Sequence, residues 1–441
     1  MIEWLAFPTL ILGVALLPKG SGNDRKTIDS IIENTRLRIP NKNGDFMYPR
    51  YKKKFPITDD GKKPNEKKTN VIGTQYQYTV PLGIPVSEIC ERERKGQVFS
   101  DGLGKPVIMR YHRESRKLLI SVFNKDIPKL FPYSEVPVMK GWVIPLGKGV
   151  EGMEWHDFDK IPHFNIAGTT RFGKTVFLKV LMTYLIEHHP DEVEFYIIDL
   201  KGGLEFGKWE QLEQVKKVAG TTDEAYDFLE YLWVLISNDF DYFRRNFISN
   251  IVDTKIKRRR FIIVDEGAQF TAGKWMDKEE KNKLDECRAI LAKIAQIAGA
   301  LGYRLIYATQ YPTTQTLDPQ IKMNADAKLT YRLATGYASE VAIDQPGAEK
   351  LPTDIKGRAL FKTHQVVELQ TPLIEEKEMW ELLGKYQVPV RVLEGVTFNN
   401  VVDSQETRES GNNTNDNRQT GIREQKPNSN HSFFEIREKR T

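Results

Sequence analysis

The spacing of apolar positions changes several times along the 441-residue chain, and each change marks a different kind of element. Trp4–Leu17 (WLAFPTLILGVALL) is apolar throughout. As a helix its 14 residues reach about 21 Å, short of the roughly 30 Å of a hydrocarbon core. Two readings stand for it, a single short membrane anchor and a buried or partner-binding helix. Gly20 to about Asn70 is polar, basic and weakly periodic, which reads as linker with a few short elements. Between Val71 and Val150, runs such as TQYQYTVPLGI, KPVIMRYH, KLLISVF and GWVIPLG are short and bounded by Gly and Pro. Their β-branched and aromatic residues predict strands of a small β-rich domain. From about Ile161 to Leu383, apolar strands alternate with amphipathic helices, the signature of an α/β domain on a mostly parallel sheet. Beyond about Val402 the segment SQETRESGNNTNDNRQTGIREQKPNSN cannot bury enough apolar surface to fold alone.

The expected organisation is therefore an apolar segment at 1–18, a basic linker at 19–70 and a β-rich domain at 71–150. An α/β domain at 151–395 and a disordered polar tail at 402–441 follow. No internal repeat is present.

Composition narrows the class. A mean hydropathy of -0.48 excludes a many-pass membrane protein. The two cysteines, Cys90 and Cys287, support neither a metal-ligand spacing nor a disulfide framework, as in a chain kept in a reducing compartment. The formal net charge of +5 is unevenly placed. From Lys19 to Lys68 there are 14 Lys/Arg against 7 Asp/Glu, so the remainder is slightly acidic. Such a segment suits an anionic neighbour, nucleic acid or the cytoplasmic face of a membrane, or else a solvated linker. The basic residues Lys19, Arg25 and Lys26 follow the apolar run, so an anchored chain would keep its body in the cytoplasm. No basic residue precedes that run and no clear cleavage site follows it, which argues against a signal peptide.

The chemistry concentrates in the α/β region. Gly168, Thr169, Thr170, Arg171, Phe172, Gly173, Lys174 and Thr175 fit the phosphate loop G-x-x-x-x-G-K-[ST], and Val176 continues into a helix. Its glycines let backbone N–H groups close on phosphate oxygens, Lys174 adds charge at the β/γ-phosphates, and Thr175 supplies a hydroxyl to Mg²⁺. The apolar HFNIA precedes the loop. In KTVFLKVLMTYLIEHH after it, Val176, Phe177, Val180, Leu181, Tyr184 and Leu185 share a helical face. RFIIVDE ends a second apolar strand in Asp265, a candidate Mg²⁺ ligand, and Glu266, a candidate general base. YRLIYATQ ends a third in Gln310, suited to sense the γ-phosphate or position water. An intervening strand, Val193–Asp199, separates this arrangement from kinase-like and small-GTPase-like P-loop proteins. ATP and Mg²⁺ are the expected cofactors. His163, His188 and His189 lack metal or catalytic spacing and read as surface or strand-end residues.

These motifs in order resemble the FtsK/SpoIIIE family of DNA translocases over roughly residues 142–365. FNIAGTTRFGKTV is similar to its P-loop, FYIIDLKGGLEF to the strand and loop after it, and RFIIVDEGAQF to its second motif. ILAKIAQIAGALGYRLIYATQYP and DAKLTYRLATGYASEVAIDQPGAEKLP match later blocks. The LKGGLEF variant and the small upstream β segment look most like conjugation coupling proteins of Gram-positive integrative elements and plasmids.

The resemblance implies a RecA-like motor, usually hexameric, that binds ATP between subunits and moves DNA through a channel. Conjugation members deliver a relaxase–DNA complex to a membrane secretion channel. Lys174, Glu266 and Gln310 would then carry hydrolysis. Where the family has Gly-Ser, this chain has Arg171-Phe172, and where an Arg is common it has Glu340, so an arginine reaching a neighbour's γ-phosphate falls to Arg332 or Arg358. The family's C-terminal winged helix and multi-pass N-terminal domain are not seen. Alternatives are a pump for plasmid or phage DNA in segregation or replication, a protein-secretion ATPase and a non-hydrolysing scaffold.

Overall fold

The computed structural model describes residues 24–35, 37–58, 70–84 and 93–388. The expected apolar segment, the polar tail and the end of the α/β domain beyond Val388 lie outside these residues. Among the described residues no helix is long and apolar enough to cross a membrane.

The N-terminal layer begins with α1 (Asp24–Asn34), whose Ile28, Ile31 and Ile32 recur at helical spacing and are buried. The short β1 (Ile39–Pro40) and β2 (Phe46–Met47) pair antiparallel. Their turn is held by Asn41 Oδ1, which accepts N–H bonds from Asn43 and Asp45. Then come β3 (Arg50–Thr58), β4 (Val71–Thr79), α2 (Glu93–Leu103), β5 (Val107–His112) and β6 (Lys117–Phe123). The strands form a four-stranded antiparallel sheet in the order β3-β4-β6-β5. Tyr76, Tyr78, Leu118, Ile120 and Val122 from its core face pack with the α1 isoleucines and Phe99. Tyr78 donates to Asp29 Oδ1 at 2.7 Å and pins the helix to the sheet.

This arrangement corrects the linker expected at 19–70. The high charge of that stretch hides a one-sided apolar pattern, so α1 and β3 belong to the folded domain.

The second layer contains β7 (Val143–Gly149), β8 (Gly152–Asp157), β9 (Phe164–Ala167), α3 (Lys174–His188), β10 (Val193–Ile198) and β11 (Val215–Ala219). It continues with α4 (Thr222–Arg245), β12 (Arg259–Val264), α5 (Lys278–Ile297), β13 (Tyr303–Thr309), α6 (Pro319–Asn324) and β14 (Ala327–Tyr331). α7 (Gly336–Ile343), β15 (Arg358–Lys362), β16 (Val366–Gln370) and α8 (Glu376–Leu383) complete it. The strands build one ten-stranded sheet, β11-β10-β12-β13-β9-β14-β15-β16-β7-β8. Pairing is parallel from β11 to β14 and antiparallel from there on. The fold is thus the expected α/β class on a mostly parallel sheet. The GWVIPLG strand, β7, placed in the β-rich domain by its sequence, instead pairs with β8 and β16 in this sheet, because a strand's local pattern does not say which sheet it extends.

Both faces of the sheet are covered. On β12, Phe261 and Ile263 pack towards α3, while Ile262 and Val264 pack towards α4 and α5. This two-sided burial is what a run of consecutive apolar residues in a parallel strand requires. α3 is buried more fully than its single predicted face: Leu178, Met182 and Ile186 are also buried. Tyr133 and α8 cover its outer side, with Tyr133 donating to Glu187 Oε2 at 2.6 Å.

Candidate nucleotide site

β13 lies between β12 and β9 and is parallel to both, so the chain segments leaving these three strands emerge side by side at their C-terminal ends. That topology brings the phosphate loop, the Asp265–Glu266 pair and Gln310 together.

The loop is fixed by its backbone. Gly168 N–H donates to the Thr309 carbonyl at 3.1 Å, and the Thr169 N–H and hydroxyl donate to the Arg332 carbonyl at 3.1 and 2.9 Å. A Cβ on Gly168 would lie 2.6 Å from Tyr331 Cβ, so only glycine allows this close approach. Gly173 caps α3 with a φ of 119°. Arg171 also has a positive φ, 73°, a conformation that glycine adopts without strain. Phe172 packs partly into the core, and its carbonyl accepts the Gly357 N–H at 3.0 Å.

The Lys174 ammonium is buried among oxygens. It donates to the Asp265 carbonyl and lies 3.1 Å from Asp265 Oδ1 and 4.0 Å from Glu266 Oε2. Asp265 is 1% exposed and its Oδ2 has no hydrogen-bond donor. The Lys201 ammonium is 3.5 Å from that oxygen. The carboxylate oxygen without a donor, next to Lys174 and Lys201 of the cleft that Thr175 also lines, and the Thr175 hydroxyl make an all-oxygen donor set. It fits Mg²⁺, which takes few protein ligands and completes its shell with water and phosphate. Among the described residues no cluster of three or more His, Cys, Asp and Glu forms a separate metal cage.

Glu266 is held from the neighbouring strand. Its Oε1 accepts the Thr309 hydroxyl at 3.0 Å, and the Gln310 N–H reaches Oε1 and Oε2 at 3.0 and 3.1 Å. The Gln310 side-chain oxygen accepts the Thr170 hydroxyl at 2.9 Å. The candidate general base, the candidate γ-phosphate sensor and the phosphate loop therefore form one hydrogen-bonded chain.

Thr169, Thr170, Arg171, Gly173, Lys174, Thr175, Val176 and Gln310 line a cleft of ≈ 760 Å³. Sequence reasoning missed its other walls. One is the 354–357 turn with 370–373; another is Lys129 and Leu130 from the segment joining the two layers. That segment is bound to the second layer by paired bonds, Tyr133 N–H to the Leu373 carbonyl and Leu373 N–H to the Phe131 carbonyl, both 2.8 Å. A third is the Gly-Gly loop after β10. The buried Asp199 carboxylate accepts N–H groups of Glu205 and Phe206 there, at 2.9 and 3.3 Å. Gly202 and Gly203 turn with φ of 74° and 69°, which puts Lys201 beside Asp265. Six cations, Lys129, Arg171, Lys174, Lys179, Lys201 and Lys356, face Glu205 and Asp354 in the cleft, a balance suited to a polyphosphate.

The two arginines expected to reach a neighbouring subunit are engaged within this chain. Arg358 is buried, paired with Glu368 at 2.9 Å and bonded to Gln370 and to the Ile127 and Pro128 carbonyls. Its guanidinium ties β15 to β16 and to the segment joining the layers, and these bonds occupy the side chain within its own chain. Arg332 bonds the Leu351 carbonyl through its side chain while its own carbonyl supports the phosphate loop. Of the histidines, His163 directly precedes β9, a strand-end position as read, while His188 and His189 close α3. His163 is 2% exposed and accepts the Leu305 N–H through Nδ1 at 3.0 Å. His189 stacks on Trp142 and His188 on Tyr184.

This region is similar to known proteins. The FtsK/SpoIIIE family model matches residues 140–298. DNA translocase FtsK of Leptospira interrogans serogroup Icterohaemorrhagiae serovar copenhageni is 26% identical over 338 residues, covering 71% of this chain and 34% of its own length. DNA translocase FtsK of Streptococcus pneumoniae is 26% identical over 343 residues, covering 70% and 42%. The chain thus spans well under half the length of these curated relatives. The structure of the pCW3 conjugation coupling protein TcpA, in its monomer form with ATPγS, shares the fold. It superposes with a TM-score of 0.56 at 21% identity, covering 82% of this chain and 99% of that one. The stretch holding the phosphate loop and the Asp265–Glu266 pair is therefore a P-loop ATPase domain of the FtsK/SpoIIIE family.

Proposed function

We propose that this chain is an ATP-driven DNA translocase serving as the coupling protein that delivers DNA to a conjugative transfer channel. The observation that carries the motor reading is the Thr170–Gln310–Glu266 chain of hydrogen bonds, which ties a base to the phosphate loop. The conjugation reading draws on layout. The superposition covers 82% of this chain and 99% of the solved TcpA chain, so it takes in the N-terminal layer as well as the α/β layer.

Lys174 balances charge at the β/γ-phosphates. Glu266, oriented by Thr309 and Gln310, accepts the proton of the attacking water. Bound Mg²⁺, held by Thr175 and Asp265, would neutralise phosphate charge. The cleft's open side suits completion by a second subunit, so a ring of copies, six by family resemblance, is part of the proposal. With Arg358 committed to its own chain, Arg332 is the remaining candidate for the trans charge. A relaxase and channel proteins are the partners this role requires.

The test is ATP hydrolysis by the full chain with single-stranded, double-stranded or no DNA, against Lys174→Ala and Glu266→Gln. Stimulation by DNA that both substitutions abolish supports a DNA motor. Hydrolysis indifferent to DNA turns the reading towards a protein substrate.

A further inference from the structure

Residues 38–58 carry Arg38, Lys42, Arg50, Lys52, Lys53 and Lys54 against a single acid, Asp45. The resulting net charge, +5, equals that of the entire chain. The structure gathers these residues on the β1–β2 hairpin and on β3, which is the edge strand of the N-terminal sheet. Arg50, Lys52, Lys53 and Lys54 are exposed. Among the described residues none of the six forms an ion pair with a carboxylate. The register shifts between Tyr51 and Lys53, so Lys52 is the extra residue of a bulge.

Two aromatic rings sit among these cations. Phe46 is 49% exposed with the Arg38 guanidinium 3.8 Å from its centroid, and Phe55 is 38% exposed with the Lys53 ammonium at 4.6 Å. Lysines, a proline and a bulge also guard an edge strand against pairing with another sheet. Exposed phenylalanines work against that purpose, so edge protection alone does not explain the patch. Cations that neutralise a phosphate backbone beside rings that accept stacked bases are what an unpaired nucleic-acid strand needs, and a duplex hides its base faces.

We infer that β3 and the β1–β2 hairpin form a binding surface for single-stranded nucleic acid, separate from the nucleotide cleft. The inference rests on the proposed DNA motor for its biological sense, but it names a surface outside the motor domain.

The experiment titrates the full chain into fluorescent oligothymidylate, a fluorescent duplex, and vesicles containing phosphatidylglycerol, over a range of salt. The Lys52→Gln/Lys53→Gln/Lys54→Gln protein should lower the log–log salt slope for oligothymidylate by about 2, which is about 100-fold in affinity at 0.1 M salt. The Phe46→Ser/Phe55→Ser protein should weaken oligothymidylate about tenfold or more with duplex affinity unchanged. All these positions are on the surface, and unchanged melting temperatures would confirm intact folds.

Unchanged oligothymidylate affinity in both proteins overturns the surface. So does loss of vesicle binding alone, which would make anionic lipid the occupant. Equal weakening of single strand and duplex by the ring substitutions overturns base stacking. Hydrolysis indifferent to DNA together with the expected binding losses upholds the surface and sinks only the motor reading.

Discussion

The Gln310 side-chain oxygen accepts the Thr170 hydroxyl at 2.9 Å, joining the end of β13 to the phosphate loop. The Gln310 backbone N–H holds Glu266 at the same time. Substituting the side chain therefore cuts the link to the loop while leaving the base in place. Gln310→Ala should lower kcat about ten- to a hundredfold with KM for ATP little changed, since nucleotide contacts remain. Glu266→Gln should lower kcat by about 10²–10⁴, the contribution of a positioned base. Steady-state hydrolysis alongside fluorescent-nucleotide binding separates the two. A Gln310→Ala protein that loses binding and rate equally would refute its place in the hydrolytic step.

Lys201 was not singled out by sequence, yet its ammonium is 3.5 Å from the donorless Oδ2 of Asp265. Its side chain is 35% exposed, so solvent screens the pair and the effect is modest. Lys201→Ala should weaken ATP and ADP binding roughly five- to tenfold, and Lys201→Glu more, with the melting temperature nearly unchanged. Titration with a fluorescent nucleotide decides it. Wild-type affinity in Lys201→Glu would mean the ammonium takes no part in the site.

The parts of the site legible in the sequence are those whose chemistry requires neighbouring residues. The eight-residue phosphate loop and Asp265-Glu266 at a strand end carry their function in local spacing. Gln310 was found because an apolar strand stops at it. Lys129, Leu130 and the 354–357 turn carry no such pattern, and long-range pairing of the 131–133 and 371–373 segments brings them to the cleft. Arg358 shows the opposite case. A charged residue at a strand start reads as available, and only burial with four bonded partners reveals it as a clamp. The isoleucines of α1 were hidden because one turn-spaced apolar face is easily lost in a highly charged segment.

Arg171 stores backbone strain in the phosphate loop, with φ at 73°. The left-handed region costs a residue with a Cβ roughly 1–2 kcal/mol, and glycine's extra freedom in the unfolded chain returns about 0.5–1 of that. Arg171→Gly should therefore stabilise the protein by about 0.5–1 kcal/mol. It also removes one of the cleft's cations, so nucleotide binding should weaken severalfold at low salt and less at high salt. Thermal melts without nucleotide, paired with binding at two salt concentrations, check both signs. A melting temperature that falls would show that the guanidinium's contacts outweigh the strain.

His156 on β8 and His163 just before β9 are buried, and burial pushes both imidazoles down to about 3, with Arg304 adding to the depression. Each is neutral in the fold, whereas in the unfolded chain it binds a proton near pH 6.5. The unfolded state therefore holds more protons between pH 6.5 and 3, so stability is present above that window and is lost as pH falls through it. The slope is about 1.4 kcal/mol per pH unit for each histidine. His163 also accepts the Leu305 N–H, which a protonated ring could not do. Denaturant unfolding across this range should show the loss beginning near pH 6. In a His156→Gln/His163→Gln protein, less stable at pH 8, the slope between pH 6.5 and 5 should be shallower by up to twice that amount. The glutamine at 163 keeps an acceptor for the Leu305 N–H, so a persisting slope would place the acid sensitivity elsewhere, among the carboxylates.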